Sequence, residues 1–285
     1  MTFNETAKLK KKRVTWKRSI ATLLGVVGIA GAATLAECTT GTEPTKNEVG
    51  FCETGTDANT NQDCRIEYTT GSLDLVWKNV LQEQKNIVYT EPEVVVFEQA
   101  VDSACGKATS NVGPFYCSFD KTIYLDTSFF KTLEEKYGFA NDAVSQEYVI
   151  AHEYGHHIQQ RLGVLQRSWS GPIGDDSLAV RTELQADCYA GIWATKADEV
   201  KNEDGETYLK QITEEQVKQA MSAAGSVGDD NIQTRAGYPT INPDEFSHGT
   251  SLERERWFLA GYRTGSMNAC DTYNAADLDN PPALK

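Results

Sequence analysis

One stretch, EYVIAHEYGHHIQQ from Glu147 to Gln160, holds three of the four histidines of this 285-residue chain within six positions. Asn141 or Asp142 can cap a helix here, and Val144, Val149, Ile150 and Ile158 give it apolar surface as far as about Leu162. On such a helix His152 and His156, four residues apart, project from one face. That geometry suits two bonds to Zn²⁺. Glu153 completes an H-E-x-x-H pattern, with a carboxylate that reaches a water on the metal and not the metal itself. Zinc lowers the pKa of its water to about 7, and a nearby carboxylate can take the proton as that water attacks a carbonyl. A catalytic zinc keeps one position open, so the protein supplies three ligands. This helix offers two. Any fold must therefore bring a second element against it.

The third ligand does not follow directly in the chain. A metzincin would continue H-E-x-x-H-x-x-G-x-x-H, but Gln159 stands at the glycine position and Leu162 at the last histidine. Downstream, TELQADCYAGIWA places Glu183 and Asp187 four apart on a second helix expected from about Leu178 to Ala197. Glu183 is the expected third ligand. Asp187 can accept the free N–H of a ligand histidine and set its tautomer. The flanks Leu184, Ala186, Cys188, Tyr189 and Ala190 are mostly apolar, so at least one of these carboxylates should be buried and in need of a partner. His157 points about 100° away from His156 and reads as structural. Gly155 costs about 1 kcal/mol against alanine inside a helix, which predicts a close approach by another helix or by substrate. Tyr154 reads as packing. Arg254 and Arg256 are expected to pair with nearby acids.

The net charge of −14 is uneven. Residues 1–18 carry seven Lys or Arg against Glu5, a charge of +6, which leaves −20 on the remainder as the difference between the two. An acidic body repels phosphate backbones, so nucleic acid is not an expected partner. The basic stretch, residues 1–19, runs into IATLLGVVGIAGAATLA, residues 20–36, with no charge in 17 residues. It is expected to contact the membrane as a transmembrane or signal segment, with residues 1–19 cytoplasmic. Everything beyond it should then lie outside the cytoplasm, secreted if the segment is cleaved. Glu37 before Cys38 departs from the small residue that a lipidation site wants.

Seven cysteines fit an oxidising compartment. Cys38 adjoins the apolar segment. The other six are expected to pair as Cys52–Cys64, Cys105–Cys117 and Cys188–Cys270, the last tying two distant helices. Residues 37–71, rich in Thr, Asn, Gly and acids, read as a polar tether. A helix is expected after Ser72, with Leu73, Val76, Trp77 and Val80 on one face. EVVVF at 93–97 reads as a strand, and PFYCSFDKTIYLD as two more, Phe115–Phe119 and Thr122–Asp126. Capping boxes at Thr213/Gln216 and Thr250/Glu253 announce two further helices. Between them, residues 228–248 read as a long functional loop. The expected fold is α+β: a helix-rich domain over residues 72–275 with a small sheet, and a short tail at 276–285.

GPFYC, YVIAHEYGHHIQ, ELQADCYAGIWA, HGTSLERERWF and CDTY, in that order, resemble the bacterial neutral zinc metallopeptidase family, whose members are usually tethered by one N-terminal membrane segment. The resemblance spans roughly Leu73 to Tyr273 and implies a zincin-like fold of the glutamate-ligand type. It implies zinc held by His152, His156 and Glu183, with Glu153 as the base. It does not supply a substrate; a peptide or protein substrate is expected from the paired H-E-x-x-H and E-x-x-x-D helices. By analogy with other glutamate-type zinc peptidases, His248 in FSHGTS could hydrogen-bond the oxyanion. A plainer role for His248 is as a backbone-held residue before the next helix. Two alternatives stay open. One is an exported zinc-stabilised binding protein with His248 as fourth ligand and no catalysis. The other is hydrolysis of a non-peptide amide, such as one in the cell wall.

Overall fold

The computed structural model describes residues 1–3, 14–17, 52, 54–109 and 112–285, the strand at 14–17 by its backbone alone. It shows an α+β domain with eight α-helices and two small sheets among those residues. Strands β1 (Val14–Lys17), β2 (Glu93–Phe97), β5 (Phe115–Cys117) and β6 (Thr122–Asp126) form one sheet in the order β1-β2-β6-β5. Its first three strands are parallel, and β5 returns antiparallel on β6. Strands β3 (Ala100–Ser103) and β4 (Gly106–Thr109) make a separate antiparallel hairpin. Every residue of β6 and all but the first of β2 are buried, as expected for parallel strands covered on both faces. One face meets the main helical core; Val95, Phe97 and Tyr124 on the other pack with Val101 and Ala108 of the hairpin.

The helices are α1 (Gly55–Thr60), α2 (Gln62–Lys85), α3 (Phe129–Tyr137), α4 (Ala143–Leu162), α5 (Leu178–Lys196), α6 (Glu214–Ser226), α7 (Asp229–Arg235) and α8 (Ser251–Thr264). Local chemistry accounts for most of their ends. Asp142 accepts from the Ser145 N–H at the start of α4, and Gly163 closes that helix in the left-handed region at φ 71°. Ser177 caps α5, and the two capping boxes open α6 and α8 as the sequence predicts. Helix α4 is central, packed by α2, α5, α6 and strands β5 and β6. That position explains its composition. Its polar residues Ser145, Gln146, Glu147, His152, Glu153, His157 and Gln159 are buried along with its apolar ones, so it lacks a clean solvent face.

Four expectations need correction. The tether ends early: α1 and the first turns of α2 fill most of residues 55–71, and α2 begins at Gln62, eleven residues before the helix expected from Leu73. Its first turns bury Cys64, Ile66 and Tyr68 together with Arg65, Thr69 and Thr70, the Arg65 guanidinium being bonded to Gln146 Oε1 at 2.8 Å, so the buried face mixes polar with apolar residues. The loop at 228–248 contains α7. Helix α3 and the β3–β4 hairpin were not foreseen, being short and weakly patterned. The tail at 276–285 is packed, with Leu278 buried and its carbonyl accepting from Trp257 Nε1 at 2.9 Å.

Residues 20–36, the expected membrane segment, lie outside the described residues, and among the latter no helix is long and apolar enough to cross a membrane. Residues 1–3 pack into the domain. Phe3 is fully buried with its ring 5.5 Å from that of Tyr68, and the Met1 ammonium lies 3.4 Å from buried Glu147. Residues 14–17 pair with β2. Placing residues 1–19 across a membrane from the domain would require all these contacts to be given up.

Candidate metal centre

Helices α4 and α5 meet at Gly155. A Cβ there would lie 2.9 Å from the Cα and the carbonyl oxygen of Ala186, so only glycine lets the two backbones come this close. The predicted close approach is thus a helix crossing. It sets the histidines of α4 opposite the carboxylates of α5. His152 Nε2 lies 3.2 Å from Glu183 Oε2, and His156 Nε2 lies 3.4 Å from Glu183 Oε1. The two imidazole rings stand at 88° to each other with centroids 4.8 Å apart. The ligand atoms of His152, His156 and Glu183 all fall within 4.8 Å of one another, and they are the group among the described residues that could hold a metal ion.

The donor set passes a further test. A metal needs a bare ring nitrogen, and which one is bare depends on what holds the other. His152 Nδ1 lies 2.8 Å from Asp187 Oδ1, so its N–H donates there and Nε2 is left as the lone-pair atom. His156 Nδ1 lies 2.9 Å from Gln159 Oε1. The Gln159 amide cannot be reversed, because its Nε2 donates to the Thr182 carbonyl at 2.7 Å and to Gln185 Oε1 at 3.2 Å. In each neutral ring the lone pair is therefore on Nε2, the nitrogen that faces Glu183. That arrangement fits a soft-to-borderline divalent ion such as zinc.

The electrostatics point the same way. Burial works against a charged imidazolium at His152, yet Asp187 and Glu183 outweigh it and carry its pKa up to about 10. Burial would raise Glu183, but His156 and His152 hold its carboxyl well below the usual range. A field that favours a proton this strongly favours a divalent cation in the same place, so cation binding should release protons. Burial pushes Glu153 up, against the lowering influence of His156 and His152.

Asp187 does more than orient one histidine. It is fully buried and takes Arg254 of α8 in a two-pronged ion pair, Nε to Oδ2 at 2.9 Å and Nη2 to Oδ1 at 3.0 Å. The Tyr148 hydroxyl also donates to Asp187 Oδ1 and receives Arg254 Nη2 at 3.2 Å. Arg254 thus holds Asp187 charged, and Asp187 holds His152. Asp187→Asn keeps the shape and removes the charge. It is expected to weaken zinc binding by roughly 10–100-fold. It should also cost about 3–5 kcal/mol of stability, since it strands the Arg254 guanidinium in the interior. Chelator competition and urea titration of the same protein measure the two effects.

His248 sits apart from the ligand trio. Its backbone N–H and those of Ser247 and Gly249 all donate to Asp229 Oδ2, and its ring Nδ1 lies 3.1 Å from Asp229 Oδ1. It is thus backbone-held before α8, as the plainer reading has it. The ring is also 46% exposed and lines a cavity of about 400 Å³ together with His152, Glu153, His156 and Glu183. His157 is structural: its ring spans the Thr90 carbonyl at 2.7 Å and the Tyr116 hydroxyl at 3.1 Å. Tyr154 is fully buried. Arg256 meets the Asp279 carbonyl oxygen at 2.6 Å in place of a carboxylate. The cysteines pair as Cys52–Cys64, Cys105–Cys117 and Cys188–Cys270, the last joining α5 to a 3₁₀ turn, Met267–Cys270, that follows α8.

Sequence reasoning missed Gln159, Tyr148 and Asp229; it expects Arg254 to pair with an acid, as it does, without identifying Asp187 as that acid. One signal was available for Arg254: a buried Asp187 demands a cation, and few lie in apolar helical surroundings. Gln159, three residues after His156, was within reach of its ring by helix spacing alone.

Fold and site together define an α+β protein with a His-His-Glu centre shaped for a divalent ion beside a buried glutamate. The chain belongs to the family described as "putative neutral zinc metallopeptidase", whose profile matches residues 17–273. At that coarse level it is a hydrolase of the zinc metallopeptidase kind. It is 47% identical over 232 residues to an uncharacterized protein of Mycobacterium tuberculosis, covering 81% of this chain and 77% of that one. It is 36% identical over 199 residues to the uncharacterized protein YpfJ of Escherichia coli, covering 67% and 64%. No solved structure matches it.

Proposed function

We propose that this chain is a zinc-dependent endopeptidase with a zincin-like catalytic domain, acting on polypeptide outside the cytoplasm. The observation that carries this reading is a three-residue ligand group opening onto a cavity of about 400 Å³ that also holds Glu153 and His248. A structural zinc site takes four protein ligands, whereas a catalytic one leaves a position free. His248 lies outside the ligand group, which speaks against the zinc-stabilised binding protein. Bound there, zinc would supply Lewis-acid polarisation of a substrate carbonyl and of water. Glu153 takes the proton from the attacking water and passes it to the leaving amine, so the proton count balances within one residue. His248, anchored through Nδ1 by Asp229, offers its ring to the carbonyl oxygen as that atom gains charge. Asp187 and Gln159 keep both ligand imidazoles in register throughout. Location outside the cytoplasm is supported by the three disulfides.

The test is metal analysis of the purified protein followed by peptide-library cleavage with and without chelator. One zinc per chain is expected, with cleavage lost on chelation and restored by zinc. A protein without stoichiometric metal, or cleavage indifferent to chelator, ends this reading.

A further inference from the structure

Two large aromatic side chains stand in solvent next to the ligand trio. Phe119 is 73% exposed and Trp169 61% exposed, yet their rings are stacked on each other with centroids 6.3 Å apart and 28° between planes. They come from unrelated parts of the chain. Phe119 sits in the turn between β5 and β6, just past the Cys105–Cys117 disulfide, and Trp169 ends the 3₁₀ helix Leu165–Trp169 that follows α4. Single exposed apolar residues need no explanation, but two brought together from distant segments beside a site do. They line a second cavity of about 380 Å³ with Leu165 and Tyr116. This cavity shares Tyr116, His156 and Glu183 with the first, so the two abut at the metal ligands. Its one carboxylate, Glu183, is committed to the ligand trio. What remains for a visitor is the π surface of Phe119, Trp169 and Tyr116, the Leu165 isobutyl group, the Cys105 half of the disulfide and one small polar residue, Ser118.

We propose that Phe119 and Trp169 form a subsite for a bulky apolar side chain, aromatic above all, of an extended polypeptide crossing the metal ligands. The proposal rests on the peptidase reading and names the substrate class. Extended chain advances about 3.3 Å per residue, so the side chain that enters this cavity lies within two or three residues of the bond at the ligands. The first cavity is also walled by apolar groups, among them Phe129, Leu133, Val149 and Ile232. The favoured substrate therefore carries apolar residues on both sides of the scissile bond, a pattern that folded proteins bury and unfolded ones present. Aromatic contacts of this kind add to what area burial alone gives.

Zinc-loaded full-length protein and its Trp169→Ala, Phe119→Ala and Trp169→Phe variants would be profiled on a positional-scanning peptide library. The Phe-over-Ser selectivity at one position near the cut should fall roughly tenfold in both alanine variants, through KM, and recover in Trp169→Phe. Binding of an uncleaved apolar peptide to zinc-loaded Glu153→Gln protein, followed by isothermal titration calorimetry, reads the subsite without catalysis. Loss of binding in Glu153→Gln/Trp169→Ala supports the subsite even if the wild type cleaves no peptide, an outcome that would sink only the peptidase reading. Unchanged selectivity and unchanged peptide binding in both alanine variants would overturn the proposal. So would a concentration-dependent dimer that Trp169→Ala dissolves, since the pair would then be covered by a second copy of the chain.

Discussion

Glu153→Gln is expected to lower kcat/KM for peptide hydrolysis by about 10²–10⁴-fold, the usual worth of a positioned acid–base group, while zinc stays bound. The two halves of this expectation come from different parts of the structure. Retention follows because the ligand trio, and the groups that hold its ring tautomers, are His152, His156, Glu183, Asp187 and Gln159. Glutamine at 153 disturbs none of them and fills the same space. Loss of rate follows because an amide cannot take the proton from water and return it to the leaving nitrogen. Burial also matters, for it lifts the Glu153 carboxyl above its ordinary range and makes it a better base. Zinc content by mass spectrometry and kcat/KM on one peptide decide the matter together. A fully active, zinc-loaded Gln variant would remove Glu153 from the mechanism.

The second large effect lies away from the chemistry. Helices α5 and α8 cross with their backbones touching at two glycines. A Cβ on Gly261 would run into the carbonyl oxygen of Cys188 and lie 3.1 Å from the Ile192 nitrogen. One on Gly191 would meet the Phe258 carbonyl oxygen and lie 2.7 Å from the Tyr262 nitrogen. Backbone cannot rotate aside as a side chain can, so the helices must move apart. Gly261→Ala is expected to destabilise the protein by about 3 kcal/mol or more, the upper end of overpacking costs. Alanine improves helix propensity by about 1 kcal/mol over glycine, so a net loss of any size already reports the clash. For a domain this large the melting point should fall by roughly 10 °C. Zinc affinity should fall too, because Arg254 rides on α8 and Asp187 on α5, and separating the helices pulls on their ion pair. A melting point at or above that of the wild type would refute the packing argument.

Against these results the sequence reading divides along a physical line. Four-residue spacing on one helix is local geometry, so His152 with His156, and Glu183 with Asp187, were legible as pairs before any fold was known. The same holds for the caps at Asp142, Ser177, Thr213 and Thr250, each of which satisfies an N–H within three residues. The apolar runs of β2 and β6 read correctly for that reason, whereas β5 ends at Cys117, two residues short of the expected bound, and Phe119 falls in the turn. Even the need for a partner at one or other of Glu183 and Asp187 was visible, because a carboxylate among apolar neighbours has few ways to exist.

The choice of partner was not visible. Arg254 lies 67 residues from Asp187, and Gln185, which braces Gln159, is 26 residues from it. Helix α2 extends over residues 62–71 beyond its expected start because Arg65, Thr69 and Thr70 are buried there beside Ile66 and Tyr68, a mixed face that apolar periodicity does not register. By itself the amino-acid sequence picked out His152 with His156, and Glu183 with Asp187, as pairs on one helix face, and several helix caps, since those depend on neighbours a turn away. Only the tertiary structure decided that Gly155, Gly191 and Gly261 are the points where α4, α5 and α8 touch, that Arg254 locks Asp187, and that Phe119 meets Trp169. Such contacts depend on where distant segments arrive in space, and no local spacing encodes that.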